Sequence, residues 1–342
     1  MAFDTITPFL GDIDAMLHEA QDDKGKRYVE PALRNLGTVA VPVLREVISP
    51  ASFRNAETEI TDIEVAGRRH ARAVANKFKY GERGRGLQIL RFLGAGGTQA
   101  QNKTIFTKEE RPSAHYDLNT LVFGDSANHD NRVLPVKAAA QYSDALSLQP
   151  YEEVVDATFH NRAAEDGTLF DAQSKKNSSN IFERSFLRPG ALMLQTICFN
   201  GRTAPPEALD HLLLSIGMAG AYGGQTSVYG INVRNHVVGL YAGRLERAVA
   251  SPYVALEALR DGLAEAGEEV DALGAVGVLE RLDAIYAAAY GARVEASAVA
   301  ARQDALRASL EAEDPALRGT YRSAHGKVGA FFDAWFDGIG GR

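Results

Sequence analysis

A single cysteine, Cys198, occurs among the 342 residues. No intramolecular disulfide can form, and a zinc site built on cysteine pairs is excluded. Long apolar runs are missing too: no eighteen consecutive apolar residues occur, so a membrane span is not expected. The opening MAFDTITPFLGDIDAMLHEAQDDKGKRY carries early acids and no basic segment ahead of an apolar stretch. It does not read as a secretory signal. No internal repeat of solenoid or propeller period is visible. With 45% hydrophobic and 24% charged residues, what remains is the composition of a globular chain. Its length can bury one large core, or one core with sizeable insertions, and a cytoplasmic location is the expectation.

A net charge of −7 argues against a polyanion partner until its distribution is considered. From Pro252 onward there are nine Lys and Arg against fifteen Asp and Glu, whereas Met1 to Ser251 holds twenty-eight basic residues and twenty-nine acids. Within that near-neutral part, Arg68, Arg69, Arg72, Lys77, Lys79, Arg83, Arg85 and Arg91 share one stretch with a single acid, Glu82. A polyanion responds to the local field, and such a stretch can neutralise several phosphates. The glycines of GERGRG (Gly81, Gly84, Gly86) would let the backbone approach a phosphate closely. The competing reading is a solvated loop with helix-face charges.

Three regions differ in character. GTVAVPVLREVI, from Gly37, is a β-branched, strand-like run, although Pro42 lacks the N–H a central strand needs unless a bulge absorbs it. Residues from about 94 to 188 are polar and rich in Asn, Asp, Ser and Gly, too long for a simple connection and expected to carry insertions or functional loops. Then ALMLQTICF reads as a buried strand, followed by a helix from about Pro206. There Leu209, Leu212, Leu213 and Ile216 recur at i, i+3, i+4 and i+7. INVRNHVVGLYAG reads as a further strand. The Ala-rich remainder reads as an acidic helical region, and VGAFFDAWFDGIGG, with Trp335, as a packed or partner-facing amphipathic helix. The boundaries this implies are an N-terminal segment (1–36), a central domain (37–252) and a helical C-terminal region (253–342).

AYGGQTSVYG is the most informative motif. Gly220, Gly223, Gly224 and Gly230 free the backbone for positive φ and expose N–H groups to an anion. Gln225, Thr226 and Ser227 offer small donors for a phosphate or 2′-hydroxyl, Tyr222 and Tyr229 could stack a base, and Arg234 and His236 follow. A helix C-cap with a turn is the plainer alternative. No Walker loop is present, because GK[ST] is missing. Metal chemistry has thinner support: His129–Asp130 is an isolated pair, and Glu165, Asp166 and Asp171, with His160, are loop acids that could hold magnesium but commonly cap turns. GDSANHD has no nucleophile elbow ahead of it. Neither a cofactor nor a resident metal is expected.

Four stretches, VPVLREVISPASFRNAETEITD, YDLNTLVFGDSANHDNRVLPVKAA, FHNRAAEDGTLFDAQSKKNSSNIFERSFLRPG and AGAYGGQTSVYGINVRNHVVG, carry a resemblance. In order and length they resemble the type I-D CRISPR backbone subunit, the Csc-two branch of the Cas-seven superfamily of repeat-associated proteins, over about Val41 to Gly243. The resemblance implies an α+β fold: a modified ferredoxin-like (RRM-like) palm with inserted finger and thumb segments, to which a C-terminal helical appendage is added. It implies no catalysis by this chain. The partners it implies are the guide RNA (crRNA), further copies of the chain stacked head to tail, other Cascade subunits, and target DNA through pairing with the guide. The family's glycine-rich loop matches Gly220 to Gly230, and its basic segment after a strand matches Arg45 to Arg54. The thumb falls within Phe159 to Arg188, with His160, Asn161 and Arg162 as RNA contacts. Because related subunits cut target RNA with a loop aspartate, a metal-dependent nuclease using Asp166 or Asp171 stays open as the alternative, as does a small-ligand binder using the glycine-rich loop.

Overall fold

The computed structural model describes residues 2–15, 17–21, 23–24, 27–31, 36–53, 60–98, 112–125, 138–161, 170–171, 175–177, 181–201, 204–223 and 230–338. An N-terminal ribbon pairs β1 (Leu17–Gln21) with β2 (Arg27–Pro31). After it come β3 (Thr38–Val47), β4 (Asp62–Val65), β5 (Arg68–Ala73) and helix α1 (Asn76–Leu93). Helix α2 (Leu118–Phe123), β6 (Ala140–Ser147), the single turn α3 (Tyr151–Val154) and β7 (Val155–Asn161) follow. Two short strands, β8 (Phe170–Asp171) and β9 (Lys176–Asn177), precede β10 (Ile181–Leu187) and β11 (Leu192–Asn200). Next are α4 (Pro206–Met218), β12 (Val233–Val237) and β13 (Gly239–Gly243). The C-terminal part holds α5 (Pro252–Ala266), α6 (Val270–Ala289), β14 (Ala292–Glu295), α7 (Ala296–Glu311) and α8 (Pro315–Gly338). Helices and an antiparallel sheet make this an α+β fold.

Eight strands form the main sheet in the order β14-β13-β3-β11-β6-β5-β4, with β12 also on β3. Every pairing in it is antiparallel. The β-branched run read from the sequence is its centre, β3. Pro42 faces Thr196 of β11 on one side. On the other side its carbonyl accepts from Val238 N–H at 2.9 Å, in the one-residue gap between β12 and β13. The pairing register shifts by one across that gap, from Val237↔Val43 to Tyr241↔Ala40. The missing N–H therefore falls at a bulge, the exception that admits proline to a central strand. The run INVRNHVVGLYAG is accordingly two strands, not one.

Side chains alternate across a strand, and β3 is buried on both faces. Val39, Val41 and Val43 join a core with residues of α1, α2, α4, α7 and α8. Ala40 and Leu44 join a second core with Leu256, Leu259, Leu263, Val278, Leu282 and Tyr286 of α5 and α6. This corrects the expected helical appendage. Strand β14 pairs with β13, while Val299, Leu306, Val328, Phe331, Phe332 and Phe336 lie in the same core as Leu209 and Leu212, with Trp335 packed against it. The apolar positions of α7 are sparse among alanines and charges although one face is packed, whereas the aromatic end of α8, read as a packed or partner-facing amphipathic helix, lies in the core.

The polar stretch 94–188 also departs from expectation, because it is not wholly insertion: it supplies β6, beside β11 in the main sheet. Its Ser143 and Asp144 are structural. Ser143 Oγ accepts from Thr196 N–H at 3.0 Å where the β6–β11 register is irregular, and Asp144 accepts from Arg72 Nε at 2.6 Å.

GERGRG forms no loop; it is the middle of α1. A β-carbon on Gly86 would lie 2.2 Å from Asn119 Oδ1, 2.9 Å from His211 Nε2 and 3.0 Å from Ser215 Oγ, so glycine is what lets α1 meet α2 and α4. Burial pushes His211 down to about 3, and it stays neutral in this seam. Gly84, by contrast, has nothing within 4 Å of the same position. Gly86→Val should lower unfolding free energy by about 1–3 kcal/mol in urea, as overpacking does. Gly84→Ala should raise it by about 0.5–1 kcal/mol, as for a helix-interior glycine with room for a methyl group. Equal effects at the two positions would refute the assignment.

Candidate nucleic-acid interface

Arg45 and Tyr222 were both expected at the RNA, and both are buried. Arg45 points from β3 toward α1, where it forms an ion pair with Glu82 and donates to Asn235 Oδ1 at 2.9 Å and Gln195 Oε1 at 2.7 Å. Its guanidinium lies 4.6 Å from the Phe78 ring centre. Burial alone would lower the Arg45 pKa, but the charges around it, led by Glu82, outweigh that and hold it above its ordinary value. The Tyr222 hydroxyl donates to Glu82 at 2.9 Å and accepts from Asn235 Nδ2 at the same distance. Tyr142 donates to the other Glu82 oxygen. Burial first, and the Glu82 charge second, push both phenols well above their usual range. Arg45 therefore has no surface to offer a phosphate, and Tyr222 no free face for a base.

This network fixes the entry to the glycine-rich loop. Tyr222 N–H donates to Asn232 Oδ1 at 2.9 Å, Asn232 Nδ2 returns a bond to the Tyr222 carbonyl at 2.8 Å, and Asn232 N–H reaches the Gly220 carbonyl at 2.8 Å. Residues on both sides of the loop are clamped together. Gly223 has φ +90°, and a β-carbon there would sit 2.6 Å from the Ser52 carbonyl oxygen. Both facts require glycine. Gly224, Gln225, Thr226, Ser227 and Tyr229 lie outside the described residues.

Ser52 belongs to the segment after β3, and it links the loop to the hairpin β7–β10. Its Oγ donates to the Ser185 carbonyl at 3.2 Å, while Ala51 and Leu187 exchange backbone bonds of 3.2 and 2.8 Å. Phe53 packs on Phe78, and Phe78 on Tyr222, with the rings tilted and their centres 5.0 Å apart in each pair. Three segments that the sequence separates thus converge on one buried base: the stretch after β3, the glycine-rich loop and the root of a hairpin within the expected thumb. Arg54 and Arg162 lie outside the described residues, as do Glu165, Asp166 and the pair His129–Asp130. His160 and Asn161 end β7, and Asp171 ends β8.

The basic stretch is divided between two elements. Arg68, Arg69 and Arg72 lie on β5, separated from β12 by β3, β11 and β6. Arg69 pairs with Asp62 and, at 3.4 Å, with Glu152, its guanidinium 4.1 Å above the Tyr151 ring, and Arg72 is held by Asp144. Lys77, Lys79, Arg83 and Arg85 lie on α1, beside the loop entry. Burial, helped by Arg83, lowers the Lys79 pKa. Arg83 pairs with Asp125 at 2.8 Å, and Arg85 donates to Gln88 at 2.8 Å. Arg234 and His236 share the Glu46 carboxylate at 3.1 and 2.8 Å. Glu82, Asn232, Asn235 and Ser52 were not anticipated; the two asparagines inside the apolar run INVRNHVV were the available signal. Among the described residues no group of three His, Cys, Asp or Glu is placed to hold a metal, and no helix is long and apolar enough to cross a membrane.

Comparison with known proteins gives a family. The family model described as Csc2 Crispr matches residues 75–311, more than half of the chain and well past the Gly243 limit of the sequence resemblance. Over 100% of this chain and 99% of the other, the fold is similar to the crystal structure of Thermofilum pendens Csc2, with 15% identity and a TM-score of 0.61. Two chains from structures titled as a CRISPR RNA-guided surveillance complex, one of them pre-nicking, align over 64% of this chain and 74% and 80% of their own. Their identities are 12% and 11%, with TM-scores of 0.40 and 0.43. No curated protein matches.

The buried pair can be distinguished from an RNA contact. Arg45→Met should cost about 3–5 kcal/mol in urea unfolding, since it strands the Glu82 charge in a dry site, and Arg45→Met/Glu82→Gln should recover much of the loss. Wild-type stability together with a weaker salt dependence of RNA binding would place Arg45 at the phosphate backbone instead.

Proposed function

The chain belongs to the Csc2 family of CRISPR proteins, and from that membership we propose that it is a non-catalytic backbone subunit of a Cascade-type complex. In this role it holds the guide RNA, stacks head to tail on copies of itself, and presents the guide for pairing with target DNA. The observation that carries the reading is the convergence of the segment after β3, the glycine-rich loop and the hairpin root on one rigid base. A guide must be held whatever its sequence, so contacts to phosphate and 2′-hydroxyl should dominate over base edges. A cradle of main chain and small polar groups with basic side chains nearby has that character.

We read the core as a ferredoxin-like palm. Its strand–helix–strand–strand–helix–strand path runs β3, α1, β6, β11, α4 and then β12 with β13, and β12/β13 and β11 flank β3. The hairpin β7–β10 is the proposed thumb, and residues 253–342 complete and cover the palm. Because α5 and α6 cover one sheet face while α1 and α4 cover the other, the guide would run past the loop and hairpin, not across the open sheet face that RRM domains use. Repeated heterologous contact that fails to close into a ring gives an open filament, the geometry a linear guide requires.

Sequencing the RNA that co-purifies with the protein tests the class: repeat-derived small RNAs are expected, and random fragments would overturn it. Gly223→Val should lower the melting temperature, because its β-carbon would meet the Ser52 carbonyl oxygen at a φ of +90°, and below that temperature the folded variant should lose length-dependent assembly on guide-length RNA in sedimentation. Normal assembly by the folded variant would remove the loop from the interface. Purified protein in magnesium or manganese should leave single-stranded RNA and DNA intact. Regularly spaced cleavage abolished by Asp166→Ala or Asp171→Ala would favour the nuclease alternative.

A further inference from the structure

Helix α1 carries an aromatic side chain that neither the core nor the loop cradle uses. Tyr80 is 78% exposed, the most open of the large hydrophobic residues described. At about 100° per residue, Lys77 lies about 60° to one side of it and Arg83 about 60° to the other. Gly84, about 40° away on the next turn, has nothing within 4 Å of a β-carbon position, so the surface beside the ring is open. The helix has one acid, Glu82, and it is turned inward to Arg45. Asp125, two residues past α2, also reaches this side and holds Arg83 at 2.8 Å. The face is continuous with the proposed cradle: a β-carbon on Gly81, the next residue, would touch the Tyr222 ring at 3.2 Å and the Ala221 carbonyl at 3.8 Å.

We propose that the outer face of α1 is a stacking platform for single-stranded nucleic acid, with one base laid on Tyr80 and the flanking phosphates drawn to Lys77 and Arg83. An aromatic side chain bordered by cations is how sequence-tolerant binders hold single strands, because every base has a π-face and every step has a phosphate. The inference rests on the reading of the chain as a nucleic-acid binder and extends it from a cradle for the backbone to a named support for a base. Two strands could supply that base: the guide, or a strand brought beside it during target pairing.

The test compares Tyr80→Ala, Tyr80→Phe and Tyr80→Trp in the full chain, each checked by thermal melting, which an exposed side chain should leave unchanged. Two affinities are measured: guide-length single-stranded RNA to the free protein, and a short single-stranded DNA, not complementary to the guide, to the preassembled protein–RNA complex. Tyr80→Ala should weaken one of them roughly 5- to 150-fold, the range for losing one stacked base. Tyr80→Phe should keep the affinity, and the indole of Tyr80→Trp should be quenched on binding. Loss of RNA binding places the guide on the platform, and loss of DNA binding alone places the second strand there. Both affinities unchanged in Tyr80→Ala, or an indole that is not quenched, would overturn the proposal while leaving the cradle reading intact. A wild-type protein that assembles on no RNA would overturn that reading itself.

Discussion

A guanidinium withdrawn completely from water must be met by an anion and by acceptors for its protons, or the fold loses several kcal/mol. Arg45 meets that requirement with Glu82, Gln195 and Asn235, and Glu82 is in turn satisfied by Tyr142 and Tyr222. These residues come from β3, α1, β11, β12, β6 and the loop entry, so one charge pair imposes the mutual placement of six elements. Apolar packing could bring the same elements together, but it would tolerate sliding. A hydrogen-bonded ion pair has one good geometry, and the loop entry inherits it. That is why the stem of the glycine-rich loop is an extension of the core and not a surface ornament.

Legibility from sequence followed how far each element's own residues determine its state. β3, β11 and α4 carry uninterrupted apolar signals, and all three were read with nearly correct ends. Strand β6 was missed because AQYSDALS places Tyr142, Ser143 and Asp144 at positions that are polar for a tertiary reason, bonding Glu82, Thr196 and Arg72. The three glycines of GERGRG were read as freedom for the backbone to approach a phosphate. Gly86 answers instead to Asn119, His211 and Ser215, none of them within reach of any local window.

The same distinction separates the site residues. Gly223 was read for its backbone freedom, and its φ of +90° depends on that freedom. Arg45 was misread because nothing in a strand buried on both faces tells a basic residue at its end from one at a solvated edge. The deciding partner, Glu82, lies thirty-seven positions away and looked like a minor interruption of a basic stretch. Long-range pairing between opposite charges is the kind of information a single sequence holds without displaying.

The Asn232 clamp has an evolutionary consequence. Its bonds to Tyr222 and Gly220 close the loop at its neck, so the two chain ends leave the core at a fixed separation whatever lies between them. Lengthening a segment tethered in this way carries only a slow entropic cost, about 0.6 kcal/mol per doubling. Apart from Gly223, whose backbone is fixed against Ser52, a change in the length of chain between the clamp points therefore needs no compensating change in the sheet. Such a neck couples mutation tightly on its own side, where Tyr222, Asn232 and Gly220 hold one another.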